Sequence, residues 1–176
     1  MISTPQKFIE VLNHDDLGRP DHYPEIEDYD TLLFYIQRNQ NLNAVIYEVN
    51  YDQAGLVNLS EPIKIHWLKY ETDRQVVQQD LNFIQKKLAY GYLHEVISHE
   101  LLAFRFVSYD NMKFYIAKNK ADRFRVFFTW QGQNIELISI YIHAEDMGVF
   151  PQVKFAEFFG KSTNDDTPFF KRLKLG

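Results

Sequence analysis

The strongest constraint on this chain is an alternation of apolar and polar side chains that recurs in short runs bounded by turn residues. Phe124, Val126, Phe128 and Trp130 alternate with Arg125, Phe127 and Thr129, the period of two that puts one set of side chains on each face of a strand. The pattern returns at 32–37, at 44–51 (Val45, Tyr47, Val49, Tyr51) and at 63–70, where Ile63, Ile65 and Trp67 oppose Lys64 and His66. It returns again at 101–109 (Leu102, Phe104, Phe106), 113–118, 135–143, 153–159 and 168–173. Between two of these runs, Gln131-Gly132-Gln133-Asn134 predicts a type II′ hairpin with Gly132 at its first central position. Runs this short predict a mainly β fold, an antiparallel barrel or sandwich of about eight or nine strands, and argue against βαβ units.

One stretch departs from the pattern. Over 74–92, RQVVQQDLNFIQKKLAYGY, the residues Val77, Leu81, Ile84 and Leu88 recur at i, i+4, i+7 and i+11, which places them on one stripe of a helix. The spacing predicts one principal α-helix, about 74–89, stopped by Gly91 and carrying Lys86 and Lys87 at its negative end. Its apolar stripe is expected to pack over an open end or edge of the β structure. Thr4 followed by Pro5 predicts a short N-terminal helix. The acidic, proline-containing run 13–30 predicts an arm or loop-rich extension, residues 1–30 in all, packed on a single domain spanning 1–176.

At 176 residues a single domain buries roughly 70% of its unfolded surface, so its core needs no metal or disulfide. Fifteen Phe, eleven Tyr and two Trp suit pleated surfaces and large packed or pocket-lining faces. The absence of cysteine excludes disulfides, thiolate zinc sites and a cysteine nucleophile together. The first residues lack a basic region and an apolar core, and no run reaches the roughly eighteen apolar residues of a membrane span. A soluble, cytoplasmic protein is expected, or a periplasmic one if a leader has been removed. A net charge of -5 weighs against nucleic acid and anionic membranes as partners.

The motifs that carry chemistry are few. His94 and His99 flank a segment like a zinc-protease helix, but their spacing of five turns the two imidazoles about 140° apart on a helix, where four would align them. His143, Glu145 and Asp146 gather at a strand end and, with His66, make a candidate polar rim for a metal or for acid–base work. The acidic arm lacks the residue order of a calcium loop. Lys113, Lys118, Lys120, Arg123 and Arg125 interleave with Phe114, Tyr115, Phe124, Phe127 and Phe128, an arrangement that grips single-stranded RNA on some sheets. Here the alternation alone accounts for it, and the glycine-bearing order of an RNA-binding sheet is missing. Nucleophile elbows, phosphate loops and dinucleotide fingerprints are absent. No catalytic residue, metal ligand or cofactor is therefore assigned.

The segments LFYIQRNQNLNAVIYEVN, EPIKIHWLKYE, LNFIQKKLAYGY and FPQVKFAEFFG together resemble a mainly bacterial, uncharacterised family known only as domain of unknown function 4833. The resemblance spans most of 33–160. It implies a shared fold and transfers no site.

Aromatic richness on a β framework favours a non-enzymatic domain over an enzyme, one that binds a small apolar or amphipathic molecule in its barrel or sandwich interior. Tyr47, Trp67, Phe104, Phe106, Phe128, Trp130 and Tyr141 are the expected lining residues. The alternatives are a protein-interaction module, self-associating as a homo-oligomer through a strand edge, and an unusual enzyme or metal site at the His143 rim.

Overall fold

The alternating runs become strands, joined into an 11-stranded sheet. A computed structural model describes residues 23–39, 41–70, 76–82, 85–147 and 150–174. Its strands are β1 (Leu32–Arg38), β2 (Asn41–Val49), β3 (Ile63–Tyr70), β4 (Val76–Asp80), β5 (Tyr92–Ser98) and β6 (Leu101–Phe106). They continue with β7 (Tyr109–Lys118), β8 (Phe124–Trp130), β9 (Gln133–Met147), β10 (Phe150–Ser162) and β11 (Pro168–Lys174). Their order is β4-β3-β2-β1-β9-β8-β7-β6-β5, with β10 also paired to β9 and β11 to β10.

The long strand β9 organises this path. β10 runs along one of its edges from Ile135 to Met147, so β8 and β1 must share the other. β8 pairs with Gln133–Glu136, and β1 pairs with Ser139–Ile142 in parallel. From that shared edge β1–β4 and β8–β5 leave as two wings and curl toward each other as an open half-barrel. A bulge in β9 opposite Phe159 and Gly160 resets the facing between the two docking points. Ile135 and Leu137 face the interior before it, and Ile140 after it. Gly160 is required there, because a Cβ would lie 2.4 Å from the Glu136 carbonyl oxygen.

The inner faces of the wings meet ring to ring. Phe34 of β1 stacks on Tyr47 of β2 at 4.3 Å and reaches across to Phe104 and Phe106 of β6 at 6.2 and 6.0 Å. Phe114 and Phe128 extend the cluster toward Phe158 of β10. Such edge-to-face and offset contacts each add about 0.5 to 1.5 kcal/mol to the burial itself. The open seam between the wings is closed by a side chain. Val49 and Ile63 form a non-hydrogen-bonded pair, since the adjacent Asn50 amide donates to the Pro62 carbonyl, so the polar groups of Ile63 point away from β2. The Tyr92 hydroxyl accepts from the Ile63 amide and donates to its carbonyl, both at 3.0 Å. Burial pushes the Tyr92 pKa up to about 12, so the hydroxyl keeps its proton.

The segment 23–31 lies as a strap across the outer face of the β1–β3 wing. Tyr23 meets the ring of Tyr141 edge-on, Gln37 donates to the Pro24 carbonyl at 3.0 Å, and Ile26 packs with Leu32, Tyr35, Ala44 and Ile46. With the interior on its other side, β1 is buried on both faces, which explains its unbroken apolar run.

Several expectations are corrected. The principal helix over 74–89 is not formed. Val76 and Val77 instead pair with Tyr70 and Lys69 to extend the sheet as β4, because β-branched residues beside an unpaired edge gain more from the ladder than from an isolated helix. Val77 is exposed, and Leu81 joins the core. Ile84 lies outside the described residues, and Leu88 falls in a single π-helical turn, Gln85–Ala89. That turn opens on a reciprocal cap, Asn82 amide to Gln85 side chain and Gln85 amide to Asn82 side chain. It ends at Gly91, where a Cβ would overlap the Lys86 carbonyl oxygen at 1.5 Å. The pairing is not wholly antiparallel, since β1 and β9 run parallel. The 131–132 hairpin is type I′, with positive φ at both Gln131 and Gly132. The short N-terminal helix and most of the 1–30 arm lie outside the described residues. Among the described residues no helix is long and apolar enough to cross a membrane.

Candidate ligand groove

Alternation along β7 and β8 sends every second side chain to the outer face, away from the shared core. Register then aligns those side chains across strands: Ala103 opposes Tyr115, Tyr115 opposes Phe127, Phe127 opposes Glu136, and Glu136 opposes Lys161. Neighbours in such a row have Cβ atoms about 5 Å apart. From Tyr115 to Lys161 the row floors a groove of about 640 Å³, walled by the 118–121 and 163–166 turns.

The floor is aromatic. Tyr115 and Phe127 are half-buried, and among the described residues neither ring lies against another ring; Tyr115 carries only the Lys113 ammonium, 5.7 Å from its centroid. The rings behind them, Phe114 and Phe128, are packed on each other and on Phe104 of β6. Lys120 and Lys161 stand around the groove with Glu136 and Asp166, while Lys118, at the end of β7, holds its ammonium 5.4 Å from the ring of Phe124, the core residue it opposes. Lys118 pairs with Glu100 and Asp122, each at 3.3 Å, and both contacts hold its ammonium charged.

Glu136 is 3% exposed. Its carboxylate lies 3.3 Å from Lys161 Nζ and 3.6 Å from Arg125 Nε. Arg125 is buried because the strap covers it: its Nη1 donates to the Leu32 carbonyl at 3.0 Å and faces Asp28 at 3.4 Å. Burial lowers the Arg125 pKa, and Glu136 is the strongest influence opposing that. Arg123 grips the Asp28 carboxylate with two bonds of 2.8 and 2.6 Å, holding it below the usual carboxylate range. A continuous line of charge thus runs from the strap through Arg125 and Glu136 to Lys161 and Asp166.

The residues singled out from the sequence fall in three places. Tyr47, Trp67, Phe104, Phe106 and Phe128 join the interior cluster, with Trp130 packed at its margin. Tyr47 donates to the Tyr90 carbonyl at 2.7 Å, and Trp67 Nε1 to Gln85 at 3.3 Å. Tyr141 faces the other way, into an outer cluster with Tyr23, Phe155 and Phe159. The polar rim is not brought together. His66 on β3 is separated from β9 by β2 and β1, about 14 Å at the usual strand spacing, and burial lowers its pKa. His143 lies flat on Phe155, 4.7 Å between centroids, and Glu145 pairs with Lys154 at 3.7 Å. Asp146 pairs with Pro151 through the backbone. His94 and His99 are apart, His94 on β5 meeting the Leu59 carbonyl at 2.8 Å. Among the described residues no three His, Asp or Glu side chains gather as a metal-binding group.

Glu136 was not singled out from the sequence, and Phe127 only within the basic and aromatic run that alternation alone accounts for. The signal they share is parity, an aromatic and a carboxylate on the outward positions of otherwise inward-apolar strands. The model of the family described as domain of unknown function 4833 matches residues 34–172. The chain belongs to that family. No curated protein and no solved structure matches it. Domain of unknown function 4833 carries no assigned chemistry in its description, so the groove is interpreted from its own residues.

Proposed function

We propose that this chain is a non-enzymatic binding domain that holds a small amphipathic molecule in the groove on the outer face of β7–β10. The observation that supports it is the pair of half-buried rings, Tyr115 and Phe127, which have no aromatic partner among the described residues and lie in a groove that Lys120 and Lys161 also line. Apolar floor and polar rim are the ordinary make-up of a small-molecule site. The half-barrel interior, where the sequence led us to expect a ligand, has weaker support, because its rings already occupy one another across the wings. The test is titration of the protein with an environment-sensitive anionic amphiphile, 1-anilinonaphthalene-8-sulfonate, and with the Ala117→Trp variant, whose indole fills the floor. Saturable fluorescence lost in the variant is expected. Undiminished binding by a folded Ala117→Trp protein overturns the assignment to the groove.

A second reading has one observation in its favour. Among the described residues β5 pairs only with β6, and it exposes Leu93, Val96 and Ile97, an edge of the kind that recruits another strand. Light scattering at micromolar concentration is expected to give a dimer that Leu93→Lys dissociates; a monomeric wild type removes this reading.

A further inference from the structure

Resting on the groove assignment above, we infer that the ligand is a nucleoside monophosphate. Its flat, amino-bearing base lies over Phe127 and Tyr115, its N–H groups donate to Glu136, and its phosphate sits against Lys120 in the 118–121 turn.

Each part follows from a different residue. Two outward rings that have no ring partner among the described residues offer π faces to a planar group, on which a base can stack. Glu136, held between the cations Lys161 and Arg125, presents its carboxylate oxygens as acceptors. A carboxylate has about four lone-pair directions, and the two cations leave directions open toward the groove that Glu136 lines. It therefore recognises N–H donors and repels an anion, so the ligand's acidic group belongs at the other end. There the 118–121 turn supplies Lys120. Among the described residues Lys120 is in no ion pair, so its ammonium is open to a phosphate, whereas Lys118 is paired with Glu100 and Asp122 and lies over the Phe124 ring at 5.4 Å.

Spacing selects the size. Lys120 lies in the turn that β7 enters at Lys118, and Lys118 opposes Phe124, three positions from Phe127, which opposes Glu136 one strand further on. Three residues of rise and two strand spacings put the start of that turn about 14 Å from the Glu136 backbone. Less the reach of two side chains, that gap takes a base and its sugar, more than a bare phosphate or a single ring fills. The groove's volume of about 640 Å³ also lies mid-range for such sites, which run from about 300 to 1,000 Å³.

Isothermal calorimetry on the full chain with GMP, IMP, guanosine, ribose 5-phosphate and inorganic phosphate tests this. GMP is expected to bind tightest, guanosine and ribose 5-phosphate each about tenfold or more weaker, the step that about 1.4 kcal/mol produces. IMP, which lacks the 2-amino donor, is expected to be several-fold weaker than GMP on the wild-type protein, so the role of Glu136 is tested without altering the fold. Phe127→Leu is expected to weaken GMP about tenfold with an unchanged Tm, and Lys120→Ala to weaken GMP while leaving guanosine as before. Equal affinity for GMP and ribose 5-phosphate, or GMP binding indifferent to Phe127→Leu, overturns the inference. If no nucleotide binds but 1-anilinonaphthalene-8-sulfonate does and Ala117→Trp blocks it, the ligand class is wrong and the groove assignment stands. If neither binds, both fall.

Discussion

The outer faces of the two wings are made alike and finished differently. On the β1–β3 wing the chain covers itself: the strap lays Ile26 over Leu32, Tyr35, Ala44 and Ile46. On the β6–β8 wing nothing in the described chain lies over Tyr115 and Phe127, and lysines stand around them instead. An outer face that is covered behaves as a second core, whereas one that is left open with aromatic residues on it is a place for something else to sit. The frontier between the two is the charged line from Asp28 through Arg125 to Glu136, which ends the strap where the groove begins.

The largest effect that separates filled faces from the open one is in truncation of rings. Phe104→Ala or Phe114→Ala is expected to destabilise by about 3 to 5 kcal/mol, while Phe127→Ala costs less than about 1 kcal/mol, the scale of a surface change. Urea denaturation of the three variants decides it; equal losses at Phe114 and Phe127 erase the distinction. Next comes the frontier. Arg125→Met leaves Glu136 buried against Lys161 alone, a loss of about 3 kcal/mol by the measure of broken buried pairs, and the double change with Glu136→Gln is expected to recover most of it in the same denaturation experiment. A single variant as stable as the wild type makes the charged line ornamental.

The smallest effect is local and depends on pH. The Arg123 guanidinium lowers the Asp28 pKa beneath its ordinary 3.8. A depressed carboxyl contributes stability that is fully present above its unfolded value and is lost as pH falls through the folded one. Hydrogen exchange at Leu32, whose amide donates to the Tyr29 carbonyl, is expected to accelerate below pH 3.8 and to lose that acid dependence in Asp28→Asn. Asp28 is largely exposed, so solvent screening keeps the contribution modest.

Much of the sheet was legible because alternation is local. Phe124, Val126 and Phe128 face the core, and Arg125 faces away, as the pattern of β8 requires. The stretch from Val76 was not legible, since Val77, Leu81, Ile84 and Leu88 suit a helix stripe and only the vacant edge of β3 decides for β4. Tyr141 was placed in the interior for want of the bulge in β9, which no composition announces and which turns the ring outward. The groove was the least accessible. Tyr115, Phe127, Glu136 and Lys161 are neighbours only through the registers of β7, β8, β9 and β10, and Arg125 counts as buried only once Asp28, 97 positions away, is laid over it.

Both wings take their position from β9, which makes that strand the axle of the molecule. One extra residue between Glu136 and Ser139 would slide one wing past the other by about 3.4 Å and reverse the facing of everything downstream. The bulge already present shows that such a slip has been absorbed once, with Gly160 clearing the room. Length at this point, more than the identity of any single ring, sets how the two halves of the half-barrel are phased.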